Sequence, residues 1–208
     1  MRSATSAPPG RRSMPSEVTG VVLAGGQGSR MGGVDKGLQP FRGRPMVAHV
    51  LDRLAPQVDA ILVNANRNVE AYAAFGHRVI ADEVTGFAGP LAGFERGLAH
   101  ATTPLVMTVP CDSPFLPHDL VARLAGALTA QRAQLAVAKT GDQVHPVFSL
   151  MRRDVHASLE AFLASGQRKI DRWYGALQVV EVAFDDEADA FLNINTREEL
   201  ASLESPPR

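Results

Sequence analysis

Val18-Thr19-Gly20-Val21-Val22-Leu23-Ala24-Gly25-Gly26-Gln27-Gly28-Ser29-Arg30-Met31-Gly32-Gly33-Val34-Asp35-Lys36 is an apolar run that empties into a glycine-rich turn and ends on a cation. Residues 18–24 read as a buried strand. The glycines that follow let the backbone approach a ligand closely and turn its N–H groups inward, which suits phosphate oxygens. Arg30 and Lys36 place two positive charges in the same loop. The loop contains no G-x-x-x-x-G-K-[ST] and is therefore not a Walker A loop. Gly26-x-Gly28 lacks a third glycine at dinucleotide-binding spacing. The next strand ends in Asn64-Ala65-Asn66-Arg67 rather than in an acid that would take a ribose, so an NAD site is disfavoured. Such a loop is either a solvated glycine turn or a phosphate cradle. Its place directly after the first buried strand, with both Arg and Lys, favours the cradle.

Outward from that loop, short apolar runs alternate with amphipathic stretches. Met46, Val47, Val50, Leu51 and Leu54 share one helical face. Strands are expected at residues 60–63, 78–81, 103–109, 135–138 and 147–150. Helices are expected at 69–75, 91–100 and 117–128, the last with Pro117 in its first turn. The alternation implies βαβ units with right-handed crossovers and a mostly parallel central sheet: an α/β fold, a Rossmann-like three-layer α/β/α sandwich. Ligands of such sheets bind beyond the carboxyl ends of the strands. No internal repeat or linker interrupts the pattern, and a single domain is expected over residues 17–204.

The 208 residues, 45% of them hydrophobic, can bury one sizeable core. A net charge of −1 gives no sign of a nucleic-acid or membrane-surface binder, and no apolar run approaches the ~20 residues that cross a bilayer. The single cysteine, Cys111, rules out an intrachain disulfide and argues against a cysteine zinc site, which fits a reducing cytoplasm as the expected location. Residues 1–16 are rich in Ser, Pro, Ala and Arg, and Arg11-Arg12 is not followed by the apolar stretch of an export signal. A disordered extension is expected there, or a start upstream of the true one at Met14. Residues 205–208 are expected to fray.

The residues after the later strands carry the remaining chemistry. Asp112, beyond residues 103–109, is either a carboxylate for a hard metal ion between phosphates or the cap of the turn before Pro114. Asn64 offers a donor and an acceptor for a base edge, or plain turn chemistry. Asp82 is a ligand for the nucleotide or a solvated acid beside Glu83. Gly93 permits close approach of a ligand or of another backbone. His145 and Cys111 read as structural, and Gln167-Arg168-Lys169 as a solvated face or an anion-facing one. Thr196 and Glu199 stand at capping-box spacing before a final helix.

Leu23 to Gly37 spells L-A-G-G-x-x-x-R-M-G-G-x-D-K-G and resembles the signature loop of the molybdenum cofactor guanylyltransferases. The broader G-G-x-x-x-R-M-G followed by Lys is shared with sugar-phosphate and molybdopterin cytidylyl enzymes, whereas Met31 to Gly37 leans to the guanylyl branch. The segments N-A-N-R (64–67), G-P-L-A-G (89–93), C-D-x-P (111–114) and N-x-N-T (193–196) are similar too, and the likeness runs from Val18 to Leu203. The resemblance implies a nucleotide-diphospho-sugar-transferase-like fold and transfer of GMP from GTP to molybdenum-molybdopterin, with release of pyrophosphate. It implies Mg²⁺ held by Asp112, and Arg30, Lys36 and Asp112 as the catalytic charges. The implied nucleotide pocket is built from Leu23, Ala24, Gly25, Gly26, Lys36, Asn64, Asp82 and Asp112, with Asn193 or Asn195 reaching the metal–phosphate centre, and the implied seat of the acceptor is in the second half of the chain, where His145-Pro146 precedes a strand. The implied partners are GTP, molybdenum-molybdopterin and, transiently, molybdoenzymes or other cofactor-synthesis proteins; a monomer is expected, without nucleic acid or membrane. Three rival readings stand beside it: a cytidylyltransferase acting on the same cofactor, a sugar-phosphate nucleotidyltransferase, and a non-catalytic nucleotide-binding partner of molybdoenzymes. The retained Arg30, Lys36 and Asp112 weigh against the last, because a pure binder has no need of the full charge set.

Overall fold

The computed structural model describes residues 17–25, 35–83, 89–192 and 194. The disorder expected of residues 1–16, the loop residues Gly26 and Arg30, Asn193 and Asn195, the helix expected after Thr196 and the fraying of 205–208 lie outside the described residues.

Strand β1 is Val18–Leu23. A two-stranded ribbon, β2 (Pro40–Phe41) and β3 (Arg44–Pro45), leads into α1, Met46–Leu54. Then come β4 (Ala60–Asn64), α2 (Val69–Ala73), β5 (Arg78–Ile80), α3 (Pro90–His100), β6 (Leu105–Pro110) and α4 (Leu120–Ala130). The second half adds β7 (Leu135–Thr140), β8 (Gln143–Arg152), α5 (His156–Ala164), α6 (Ile170–Tyr174), β9 (Val179–Ala183) and a 3₁₀ stretch, Asp185–Phe191.

Seven strands form one sheet in the order β5-β4-β1-β6-β8-β7-β9. The pairs β1–β4, β1–β6, β4–β5 and β7–β9 are parallel, and β8 runs antiparallel to both its neighbours. Alternation along β1 sends Val18 and Val22 to one face and Val21 to the other, into two separate apolar clusters. The first holds Val47, Val50 and Leu54 of α1, Tyr72 of α2 and Leu120, Leu124 and Leu128 of α4. The second holds Leu91, Phe94 and Leu98 of α3, Leu159 and Leu163 of α5 and Trp173 of α6. Helices therefore cover both faces of a mostly parallel sheet, as the alternation of elements predicts. No described helix is long and apolar enough to cross a membrane.

Two expectations are corrected. Helix α4 begins at Leu120, three residues after Pro117; the Pro117 carbonyl instead accepts the Leu120 N–H, closing a turn ahead of the helix. The run expected at 147–150 is the far end of a ten-residue strand, paired with β7 through a hairpin that turns on Gly141 at φ +53°. Arg168 lies at the end of α5, its Nη1 donating to the carbonyls of Leu163 and Gln167 at 2.8 and 2.7 Å, while Gln167 and Lys169 are exposed.

Candidate functional site

β1 sits where the sheet order reverses: the chain adds β4 and β5 on one side of it and then crosses to β6 on the other. The crevice at the carboxyl ends of β1 and β6 is thus the topological switch point where ligands of such sheets bind. The end of β1 is fastened to both neighbours. Ala24 N donates to Asn64 O at 2.8 Å, and Cys111 N donates to Leu23 O at 3.1 Å. Leu23, Ala24 and Gly25 are therefore a fixed launching point for the glycine loop.

On the β6 side stands Asp112. The Lys36 Nζ donates to its Oδ2 at 3.4 Å, with the two side chains 24% and 13% exposed. Lys36 opens a short 3₁₀ turn, Lys36–Leu38, at the far end of the glycine loop. Burial pushes the Asp112 carboxyl above the usual carboxylate range, and the nearby ammonium pulls it back only in part. Ionised, the Asp112 carboxylate offers hard oxygens of the kind Mg²⁺ takes, and a bound cation would offset the burial of its charge. Neighbouring Cys111 is buried, and burial drives its thiol pKa upward, so it is no nucleophile at neutral pH.

On the β4 side three residues form a closed polar cluster. Asn64 Nδ2 donates to Asp82 Oδ1 at 2.8 Å, and Asn66 Nδ2 donates to Asp82 Oδ2 at 2.7 Å. Asp82 N in turn donates to Asn66 Oδ1 at 2.8 Å. Asn64 is buried and Asn66 exposed, so the cluster spans from the floor of the crevice to its rim. Asn66 carried no role in the sequence reading. The signal was present, because residues i and i+2 of extended chain point the same way, so a second Asn two after the first shares its side. Helix α3 closes in behind: a Cβ on Gly93 would lie 2.5 Å from Asn64 Oδ1 and 2.5 Å from Leu23 Cδ2. Gly93 is thus required by packing against the cluster.

A cavity of about 390 Å³ adjoins the β6 end of the crevice. Pro110, Thr140, His145, Pro146, Phe148 and Phe191 are among its walls. His145 stacks on Phe191 with centroids 4.7 Å apart and planes within 13°. Its Nε2 shares a 2.7 Å hydrogen bond with Thr140 Oγ1, and burial lowers its pKa, so the ring is neutral at pH 7. His145 is therefore a cavity wall, in the half of the chain where the resemblance sets the acceptor. Ile194 N donates to Asp112 O at 3.0 Å, and the Ile194 side chain packs with Phe41 and Met46. The segment near the chain's end is in this way fastened to the backbone of Asp112.

The MobA-like NTP transferase domain model matches residues 20–180. A molybdenum cofactor guanylyltransferase from Cupriavidus taiwanensis is 54% identical to this chain over 194 residues, covering 91% of it and 97% of the relative. Another, from Shewanella amazonensis, is 48% identical over 190 residues, with 91% and 97% covered. Among solved structures, molybdopterin-guanine dinucleotide biosynthesis protein A from Archaeoglobus fulgidus has a TM-score of 0.75 and 24% identity, with 89% of this chain and 96% of that one covered; at that identity the likeness speaks for the fold. A Lys36–Asp112 pair and an Asn–Asp cluster at the switch point of this sheet, together with identity above one half along nearly the whole chain, place it in the molybdenum cofactor guanylyltransferase family of MobA-like NTP transferases.

Proposed function

We propose that this chain transfers GMP from GTP to molybdenum-molybdopterin, forming the guanine dinucleotide cofactor and releasing pyrophosphate. The observation that carries the guanine assignment is the Asp82 carboxylate, held from behind by Asn64 and Asn66. Guanine presents an N–H and an NH₂ side by side, and each oxygen of a fixed carboxylate has a lone pair left to accept them. Cytosine presents a mixed acceptor and donor edge, which a carboxylate matches poorly.

In this reading the acceptor's terminal phosphate attacks the α-phosphorus of GTP. A new P–O bond forms, the α–β bridging P–O bond breaks, and pyrophosphate departs with the negative charge. The attacking phosphate is already anionic, so no general base and no covalent enzyme intermediate are needed. The protein's work is positioning and charge neutralisation. Lys36 neutralises the reacting phosphates, with Arg30 from the loop, and the amides of the segment after Leu23 cradle their oxygens. Asp112 would hold Mg²⁺, which when bound supplies Lewis-acid polarisation at the phosphates. The cavity beside Pro110 seats the acceptor, with the neutral His145 ring as one wall. A monomer is the state proposed, in a cytoplasm whose reducing conditions suit the free Cys111.

The test is pyrophosphate release by purified protein with Mg²⁺ and molybdenum-loaded cofactor, comparing GTP with CTP, ATP and UTP. Release with GTP alone is expected. Preference for CTP would overturn the role given to Asp82. Tight GTP binding without release would point to a non-catalytic partner of molybdoenzymes.

A further inference from the structure

Asp35, Asn68 and Tyr72 are joined by contacts that the proposed reaction does not use. The Tyr72 hydroxyl donates to Asp35 Oδ1 at 2.5 Å, and Asn68 Nδ2 donates to Asp35 Oδ2 at 2.9 Å. Both donors come from α2: Tyr72 lies inside it, fully buried, and Asn68 caps its start in the left-handed conformation, φ 51° and ψ 34°. Both oxygens of Asp35 are thereby tied to one short helix. On the other side of Lys36, Gly37 is wedged between that helix and the end of β6. A Cβ there would lie 2.5 Å from the Tyr72 hydroxyl and 3.0 Å from Cys111 Sγ. The two residues flanking Lys36 are thus clamped, one by hydrogen bonds and one by fit.

Lysine is a flexible four-carbon stem that carries about 2 kcal/mol of rotamer entropy. A stem of that kind is aimed by fixing its root. We propose that Asp35, braced by Tyr72 and Asn68, is a positioning residue that fixes the root of Lys36 and so aims its ammonium at the centre beside Asp112. Burial and the adjacent carboxylate raise the Tyr72 pKa, so its hydroxyl remains a donor throughout the working pH range. The other use of such a buried tyrosine is packing alone, its hydroxyl merely satisfied. The two differ in what they predict for rate at constant stability.

This inference rests on the role given to Lys36 above, and the experiment separates the two. Tyr72→Phe removes only the hydroxyl. Asn68→Gly removes only the amide while tolerating the left-handed backbone. Each variant is measured for melting temperature, GTP affinity, kcat and KM. Small misplacement of a reacting group costs roughly 10–100-fold in rate, so kcat should fall by about that range with GTP affinity little changed. In a Lys36→Ala background, under single-turnover conditions, neither change should cost anything further, because the side chain being aimed is gone. Normal kcat in both single variants, or the same fold-loss in the Lys36→Ala background, would overturn the inference and leave the Lys36 role standing. Normal turnover by Lys36→Ala itself would overturn both.

Discussion

Asp112 shows how a residue suited to catalysis can weaken the fold that carries it. Burial holds its carboxyl above the usual range, so the folded chain binds that proton more tightly than the unfolded chain does. Its contribution to stability is therefore fully present below the unfolded pKa and is lost as pH rises through the higher folded value. Asp112→Asn escapes that loss. Without Mg²⁺ at pH 7 the variant should melt above the parent, with the gap narrowing as pH falls into the carboxylate range. Turnover should drop by about 10²–10³. A variant that melts lower at pH 7 would mean that the Lys36 contact outweighs burial. Lys36 and Asp112 were legible in the sequence because each stands in a loop directly after a buried strand. Tyr72 was not, since an aromatic on a short apolar helix reads as core, and no spacing rule brings residue 72 to residue 35.

Elements were legible where their own periodicity decided them and hidden where a partner did. Helix α1 has the bounds its apolar stripe predicts, Met46 to Leu54, with Val47, Val50 and Leu54 fully buried. Strand β9 is an edge strand with Glu181 facing out, and its pattern is too weak to stand apart from the loops around it. β8 needed the turn at Gly141 to reveal that it doubles back on β7. The 3₁₀ stretch Asp185–Phe191 depends on α4. Arg123 of that helix donates to Asp186 Oδ2 and Oδ1 at 2.9 and 3.0 Å and stacks over Phe184 at 3.9 Å. This planar, two-pronged contact is one that lysine cannot copy. The same stretch supplies Phe191 to the cavity wall. If the cavity seats the acceptor as proposed, Arg123→Lys should raise KM for the pterin acceptor and leave KM for GTP unchanged, since the Asn64–Asn66–Asp82 cluster lies on the β4 side. A shift in GTP KM instead would place the damage in the sheet rather than in this corner.

At the scale of the whole molecule, the polar groups after β1, β4 and β5 and the cavity beside β6 and β8 lie along one edge of the sheet. A ligand that bridges these parts should stabilise all of them together. At a hundred times its dissociation constant, Mg²⁺–GTP should add about 2.7 kcal/mol. For a chain of this size that is a melting-temperature rise of roughly 5–10 °C. CTP at equal concentration should give less, and GTP with a chelator less again, if Asp82 and Asp112 play the parts given to them. Equal shifts for GTP and CTP would count against the base pocket. The doubly covered parallel sheet was legible from the alternation of its strands and helices; of the cavity only His145-Pro146 was, through the resemblance, because its walls are made where the hairpin and the 3₁₀ stretch meet. The link from Ile194 to the backbone of Asp112 bears on where the fold can be cut. Every described strand of the sheet lies before residue 184. A chain ended after Leu192 should keep the sheet and lose that fastening, so the damage should show at Asp112 and at Phe41 and Met46, which Ile194 packs against, rather than across the core.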